Sequence, residues 1–317
     1  MKKILIPNNY GGQRLDVALT DLLNKGVGIN RTRSFIKKYI PNGVYKVDGS
    51  NVKPSCIVQA GEEYLFDETL LEDASKRSFS EIDIEGQDAQ ITAQYEDFLF
   101  AIKNRGDDVL KTAAILAKTG LIDKEMPRNG IVHRLDKPVG GIMVFAKNTK
   151  GQNELSRLFL ERGIQKYYIA NVKELAGKFE KGYVYRVYGG IIRDRKKRIR
   201  RSFKLEGIDK METGKIFKYK DDFYTPRGYR KAILELRIIG KNRLLIKLLT
   251  GRNHQIRATL KALRMVIVGD TLYGKEYVVP KAIDLWSIHI GFEYDNKVFS
   301  EGFYDTIGFE EFESSKW

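Results

Sequence analysis

Residues 131–148 read IVHRLDKPVGGIMVFAKN, and the fold turns on how this stretch divides. From Gly141, GIMVFAK is a run of small and large apolar residues ending at a lysine, which predicts a buried strand. Ahead of it, Pro138 and the Gly140-Gly141 pair mark a turn. His133, Arg134 and Asp136 therefore stand on a turn that feeds a buried strand. Backbone without side chains lies beside Asp136, so a carboxylate there can approach a ligand closely. An aspartate in such a turn also bonds its own backbone, and taken alone Asp136 reads more readily that way.

The flanks mix strands and helices. Upstream, ITAQYEDFLFAIKN reads as strand and turn, and VLKTAAILAKTG as a helix ended by Gly120. Downstream, NTKGQNELSRLFLERG is a capped amphipathic helix with Leu155, Leu158 and Phe159 on one face and Gly163 as its stop, and KYYIANV is a strand. Residues 231–249 give two apolar strands around GKNR. HQIRATLKALR is a helix, VIVGDTLYG a strand and turn, and LWSIHIGFEYDNKVFSEGF a hairpin. Strands outnumber helices without regular alternation, so α+β is the expected class.

The first 67 residues read as a separate small α+β module. QRLDVALTDLLN sets Leu15, Leu19 and Leu22 at helical spacing. Asn30 is the expected cap of a second helix, RTRSFIKKYI, which carries Arg31, Arg33, Lys37 and Lys38. GVYKVDGSNV predicts a strand, an Asp48-Gly49 hairpin turn and a second strand, and GEEYLF closes the unit near Asp67. Residues 68–88 are charged, lack a clear period and read as a linker.

Composition narrows the function. Lys and Arg number 56 against 41 Asp and Glu, a formal net charge of +15, which suits a polyanionic partner. The densest basic stretch runs from Arg193 to Lys204 within IIRDRKKRIRRSFK. A single cysteine, Cys56, excludes an internal disulfide and fits a reducing, cytoplasmic setting. The apolar run at the start ends at Pro7, too short for a secretory signal, and no stretch approaches the roughly 18 apolar residues of a membrane span. His133, His254 and His289 are scattered without metal-ligand spacing, and no phosphate-binding glycine loop follows a strand. The expected chemistry uses no metal, ATP or NAD.

GRNHQIR opens a helix in which Ile256, Leu260 and Leu263 share one face and His254, Arg257 and Lys261 the other. Arg257 either enters a cleft, where a guanidinium can hold an aspartate by a two-pronged bond, or belongs to a solvated basic face. Tyr167 and Tyr168 point to opposite sides of a strand. The one that meets a cleft offers a stacking surface for a base.

Together and in order, HRLDKPVGGIMVFAKN, KYYIA, GRNHQIR and VGDTLYG resemble the RluA-type RNA pseudouridine synthases over about residues 88–310. QRLDVAL, RTRSFIKKYI, GVYKVDG and GEEYLF resemble the S4 RNA-binding module that many of these enzymes carry. The resemblance implies an S4-like module (1–67), a linker (68–88) and a catalytic domain (89–317) whose mixed, largely antiparallel sheet is flanked by helices. It implies an isomerase that breaks the glycosidic bond of a uridine, turns the uracil and joins C5 to the same sugar, with no cofactor. By the same resemblance Asp136 is the catalytic residue, Tyr168 lies against the target base, and Arg257 pairs with Asp136. Arg134 is expected to hold the RNA or the flipped-out position. Arg252, His254 and Gln255 are expected at the substrate, and Arg31, Arg33, Lys37 and Lys38 on RNA phosphates. The implied partner is structured RNA, large-subunit rRNA first and tRNA second, with no membrane and no small-molecule cofactor, for a monomer in the cytoplasm. A non-catalytic RNA-binding or ribosome-assembly protein that kept the fold is the competing reading.

The chain departs from the common wording of the family. Gly140 stands for a serine, KNRG at 103–106 for KPAG, Asn253 for a threonine and Trp286 for a histidine. The missing hydroxyl at Gly140 is expected to loosen the loop without removing the carboxylate.

Overall fold

The computed structural model describes residues 1–26, 33–67, 69, 84, 88–123, 126–193, 201–213, 223–274, 279–304 and 312–313. The chain divides into two compact units, Met1–Asp83 and Ile84–Trp317.

The first unit contains β1 (Lys2–Leu5), α1 (Leu15–Gly26), α2 (Arg33–Gly43), β2 (Val44–Lys46) and β3 (Glu63–Phe66). β3 lies between β1 and β2 and is antiparallel to both. Leu15, Leu19 and Leu23, spaced four apart, form one face of α1. They bury against Ile36 and Ile40 of α2 and against Tyr64 and Phe66 of the sheet. Leu22 sits at the edge of this core, partly buried. α2 continues through Pro41 to Gly43. The fixed φ of proline suits a helix, and in the last turn only one N–H is lost. The expected hairpin keeps its turn, with Gly49 at φ +82, but its second arm is reduced to a single bridge between Tyr45 and Asn51. The ladder of β2 goes to β3 instead. Asn30 and Arg31 lie outside the described residues, as does most of the stretch read as a linker.

The second unit contains β4 (Ile91–Gln94), β5 (Phe98–Lys103), α3 (Val109–Lys118), β6 (Gly140–Ala146), α4 (Thr149–Glu161), β7 (Gln165–Asn171), β8 (Tyr183–Arg193), β9 (Arg201–Glu212), β10 (Arg230–Gly240), β11 (Arg243–Leu248), α5 (Gln255–Ala262), β12 (Leu285–Tyr294) and β13 (Lys297–Gly302). The strands form a 10-stranded sheet in the order β4-β5-β6-β12-β7-β11-β10-β8-β9, with β13 beside β12. β6 and β12 run parallel, and every other named pairing is antiparallel. The fold is α+β with a mixed, mostly antiparallel sheet. β5 and β6 are buried at every residue, which is why FLFAIK and GIMVFA are apolar without alternation.

Asn148 caps α4, accepting the N–H of Gly151, as the pattern predicts. The stop is made by Arg162 at φ +64, one residue before the expected Gly163. VIVGDTLYG is not a strand: it contributes one bridge, Ile267 to Val172, and then turns at Gly269, φ +79. No helix among the described residues is long and apolar enough to cross a membrane.

Candidate active site

The loop before β6 is fixed from beneath. Lys103, the last residue of β5, is fully buried, and its ammonium donates to the carbonyls of Val139 at 2.6 Å, Asn104 at 2.9 Å and Lys137 at 3.2 Å. Burial pulls this lysine down to about 8, while the carbonyls supply the partners a buried cation requires. The Lys137 carbonyl also accepts the N–H of Gly106 at 2.9 Å. Asp136 therefore rides on a loop whose following carbonyls are clamped. His133 is part of the same scaffold. Its Nε2 accepts the N–H of Val144 at 3.1 Å, its ring stacks on Phe159 at 4.7 Å, and burial lowers its pKa to about 3. It is a neutral packing residue.

α5 brings the second half of the site. Arg257 is buried, and its Nη1 donates to Oδ2 of Asp136 at 3.3 Å. The pairing expected of Arg257 is thus present, but single-pronged. The two-pronged bond goes to Asp270, Nε to Oδ2 at 2.7 Å and Nη2 to Oδ1 at 2.9 Å. His254, at the mouth of α5 with φ +55, places Nε2 3.8 Å from the same Oδ2 of Asp136. Burial lowers the pKa of His254, opposed by the charge of Asp136.

A cavity of about 590 Å³ opens over this group, lined among others by Asp136, Tyr168, Arg134, Lys166, Arg252 and His254. Tyr168 is buried at its wall, and Tyr167, on the other face of β7, packs on His289 and Phe312. Burial pushes the Tyr168 hydroxyl up, so it stays a neutral phenol. Asp136 is the one acid among the described residues that line the cavity. A carboxylate held by Arg257 at one oxygen, a phenol ring and a cationic wall suit a planar, polar base attached to an anionic backbone.

The family described as RNA pseudouridylate synthase matches residues 105–262. An uncharacterised RNA pseudouridine synthase of Haemophilus influenzae is 30% identical over 213 residues, 67% of this chain and 85% of that protein. The chain belongs to the RNA pseudouridine synthase family. The ribosomal large subunit pseudouridine synthase D of Vibrio parahaemolyticus is 29% identical over 282 residues, 85% of this chain and 75% of that synthase. The solved structure of human RNA pseudouridylate synthase domain containing 1 shares the fold. It has a TM-score of 0.52 at 21% identity, over 71% of this chain and 85% of that one. The protein is an isomerase acting on RNA.

Several residues of this pseudouridine synthase are held differently from expectation. Gln255 is buried, and its amide is tied to protein. Its Oε1 accepts from the Thr250 hydroxyl and the Arg252 N–H, both at 2.9 Å, and its Nε2 donates to the Ile233 carbonyl at 3.0 Å. It lines the cavity, but with its amide already engaged it shapes the loop there. Arg252 lines the cavity while its Nε donates to the Lys231 carbonyl at 3.1 Å. Arg134 is exposed at the rim. In the first unit, Lys37 and Lys38 are exposed, whereas Arg33 is paired with the buried carboxylate of Asp16 at 3.2 Å and Arg14 holds the same group at 3.0 Å.

The space a side chain at Gly140 would need is already filled. Gly140 pairs with Trp286 across β6 and β12, and a Cβ there would fall 2.6 Å from the indole and 2.9 Å from Cγ of Arg105. The guanidinium of Arg105 stacks over that indole at 4.5 Å. Three departures from the family wording, at 105, 140 and 286, are therefore one packing solution. Gly141 is required for another reason: at φ +115, a Cβ would sit 2.0 Å from the Ser287 carbonyl oxygen. Sequence reasoning missed Lys103 and Asp270 as site-builders, although both lie in quoted motifs. A lysine ending an apolar strand was the available signal for the first.

Proposed function

We propose that Asp136 is the catalytic residue of this synthase and that large-subunit ribosomal RNA is its target. The observation that carries the first part is a lone carboxylate on a clamped loop, held by Arg257 and facing a cavity with Tyr168 and a cationic wall. The names of relatives such as the Vibrio enzyme support the second. In the reaction the C1′–N1 bond breaks, C1′–C5 forms, the proton at C5 is lost and N1 gains one. Attack on C1′ and removal of a sugar proton both need a carboxylate oxygen free to reach the sugar. Extracting the base costs on the order of a few kcal/mol, offset by roughly 1–3 kcal/mol of stacking on Tyr168. Residues 1–67 act as an S4-like RNA-binding module joined by 68–88 to the catalytic domain 89–317, in a cytoplasmic monomer. Arg31, Lys37 and Lys38 and the basic stretch 193–204 meet phosphates. Arg31 and residues 194–200 lie outside the described residues.

The test is to incubate the protein with ribosomal and transfer RNA lacking pseudouridine and to measure pseudouridine. Product on large-subunit rRNA with the parent and none with Asp136→Asn is the expected result. Product on tRNA alone overturns the target. No product on either RNA favours the binding-only reading.

Lys166 provides a check on the cationic wall. It has no acidic partner among the described residues, and burial pulls it down to about 8. Its charge is present at pH 7 and lost as pH rises through about 8. A charged hydrogen bond to phosphate is worth roughly tenfold in affinity. RNA affinity is expected to fall by roughly that factor between about pH 7 and 9, and to be weaker at pH 7 but flatter with pH in Lys166→Gln. Parallel pH profiles for the two proteins would remove Lys166 from the contact.

A further inference from the structure

Tyr273 has no part in the reading above, yet it touches every member of the site's second half. It is buried three residues after Asp270, and its N–H donates to Oδ1 of that aspartate at 3.2 Å. The guanidinium of Arg257 lies 5.0 Å over its ring. Its hydroxyl oxygen is 2.8 Å from the backbone nitrogen of Arg201 and 3.1 Å from Nδ1 of His254.

The hydrogens of this cluster can be counted. The Arg201 N–H can only donate, so the hydroxyl oxygen accepts it. The hydroxyl has one hydrogen of its own, and the acceptor within reach is Nδ1 of His254. A proton on Nδ1 would leave the oxygen facing two donors and its own hydrogen without an acceptor among the described residues. Burial lowers the pKa of the imidazole, and a neutral ring with Nδ1 as acceptor carries its one proton on Nε2, the nitrogen that faces Oδ2 of Asp136 at 3.8 Å, beyond hydrogen-bond length. Arg257 reaches the same oxygen. Oδ1 of Asp136 takes no hydrogen bond among the described residues.

We propose that Tyr273 is a positioning residue that fixes His254 with its Nε2–H turned toward Oδ2 of Asp136, the oxygen bonded by Arg257, and so leaves Oδ1 as the oxygen that meets the uridine. The proposal rests on Asp136 being the catalytic residue. A neutral N–H facing the carboxylate adds no second full cation beside Arg257, which would blunt its reactivity. The left-handed backbone of His254 fits this role, since strained conformations persist where surrounding contacts over-determine them.

Nitrogen-15 NMR of histidine-labelled protein tests it. The chain has 3 histidines, and the His254 signals are identified by their loss in His254→Gln. The parent is expected to show the Nε2–H tautomer at neutral pH. Tyr273→Phe is expected to shift the population toward Nδ1–H and to lower kcat about tenfold, with KM for RNA unchanged. A purely structural role for Tyr273 would leave the kcat of the folded fraction untouched. An Nδ1–H tautomer in the parent overturns the proposal, as does a Tyr273→Phe enzyme with a changed tautomer and parental kcat. If Tyr273→Phe does not fold, the tautomer of the parent decides. An active Asp136→Asn enzyme would overturn the catalytic reading and the proposal with it, whereas a wrong tautomer overturns the proposal alone.

Discussion

Asp270→Asn is expected to lower the stability of the catalytic unit by about 3–5 kcal/mol, whereas Asp136→Asn removes catalysis and leaves most of that stability. Both aspartates touch Arg257, but their surroundings differ. The side chains of Arg257 and Asp270 are 2% and 1% exposed, and that of Asp136 is 15% exposed. Removing the charge of Asp270 leaves a buried guanidinium with one single-pronged partner, which is the costly way to break a buried pair. It also weakens the acceptor for the Tyr273 N–H. Removing the charge of Asp136 leaves Arg257 with its two-pronged bond intact. Urea unfolding followed by tryptophan fluorescence measures the difference, since both tryptophans, Trp286 and Trp317, belong to the second unit. Equal losses in the two variants would show that Asp270 is no anchor.

Gly140→Ser, which restores the common family residue, is expected to destabilise this protein by about 1–3 kcal/mol, the usual cost of overpacking, and to lower its activity. The new Cβ meets the indole of Trp286 and the stem of Arg105 at sub-contact distances. Neither can retreat freely, because the indole is stacked beneath Arg105 and against Phe303 at 5.5 Å. Adding Trp286→His to Gly140→Ser is expected to recover most of the loss, so the two substitutions are strongly non-additive. Melting temperature and turnover of the two single variants and the double variant decide it. A Gly140→Ser protein as stable and active as the parent would mean the strand shifts to make room.

The parts of the site that local order carries were readable in advance. Asp136 stands on a turn before a buried strand, Tyr168 alternates with Tyr167, and Arg257 shares a helix with buried Ile256 and Leu260. What local order does not carry is competition for a partner. Two aspartates are within reach of Arg257, and only the packed fold shows that Asp270 takes the fork. The same holds for Lys103, whose three carbonyl partners come from the loop after Asp136. Gln255 reads as a substrate group in a motif and lines the cavity, yet its amide is already bonded to Thr250 and Ile233. In the first unit, the strand expected after Gly49 fails because β2 finds a longer partner in β3. VIVGDTLYG has strand-like composition, but Gly269 and Asp270 turn the chain before a ladder can form.

The placement of β12 between β6 and β7 has a consequence for how the enzyme comes into being. The loop of Asp136 precedes β6 and Tyr168 lies on β7, and among the described residues these strands join the sheet through β12, which is made after both. Until residues 285–294 are made, β6 and β7 lack the strand that lies between them in the sheet. Such long-range closure is slow compared with hairpin formation. The nascent protein can therefore fold its first unit early, whereas the centre of the catalytic sheet closes only once β12 is available.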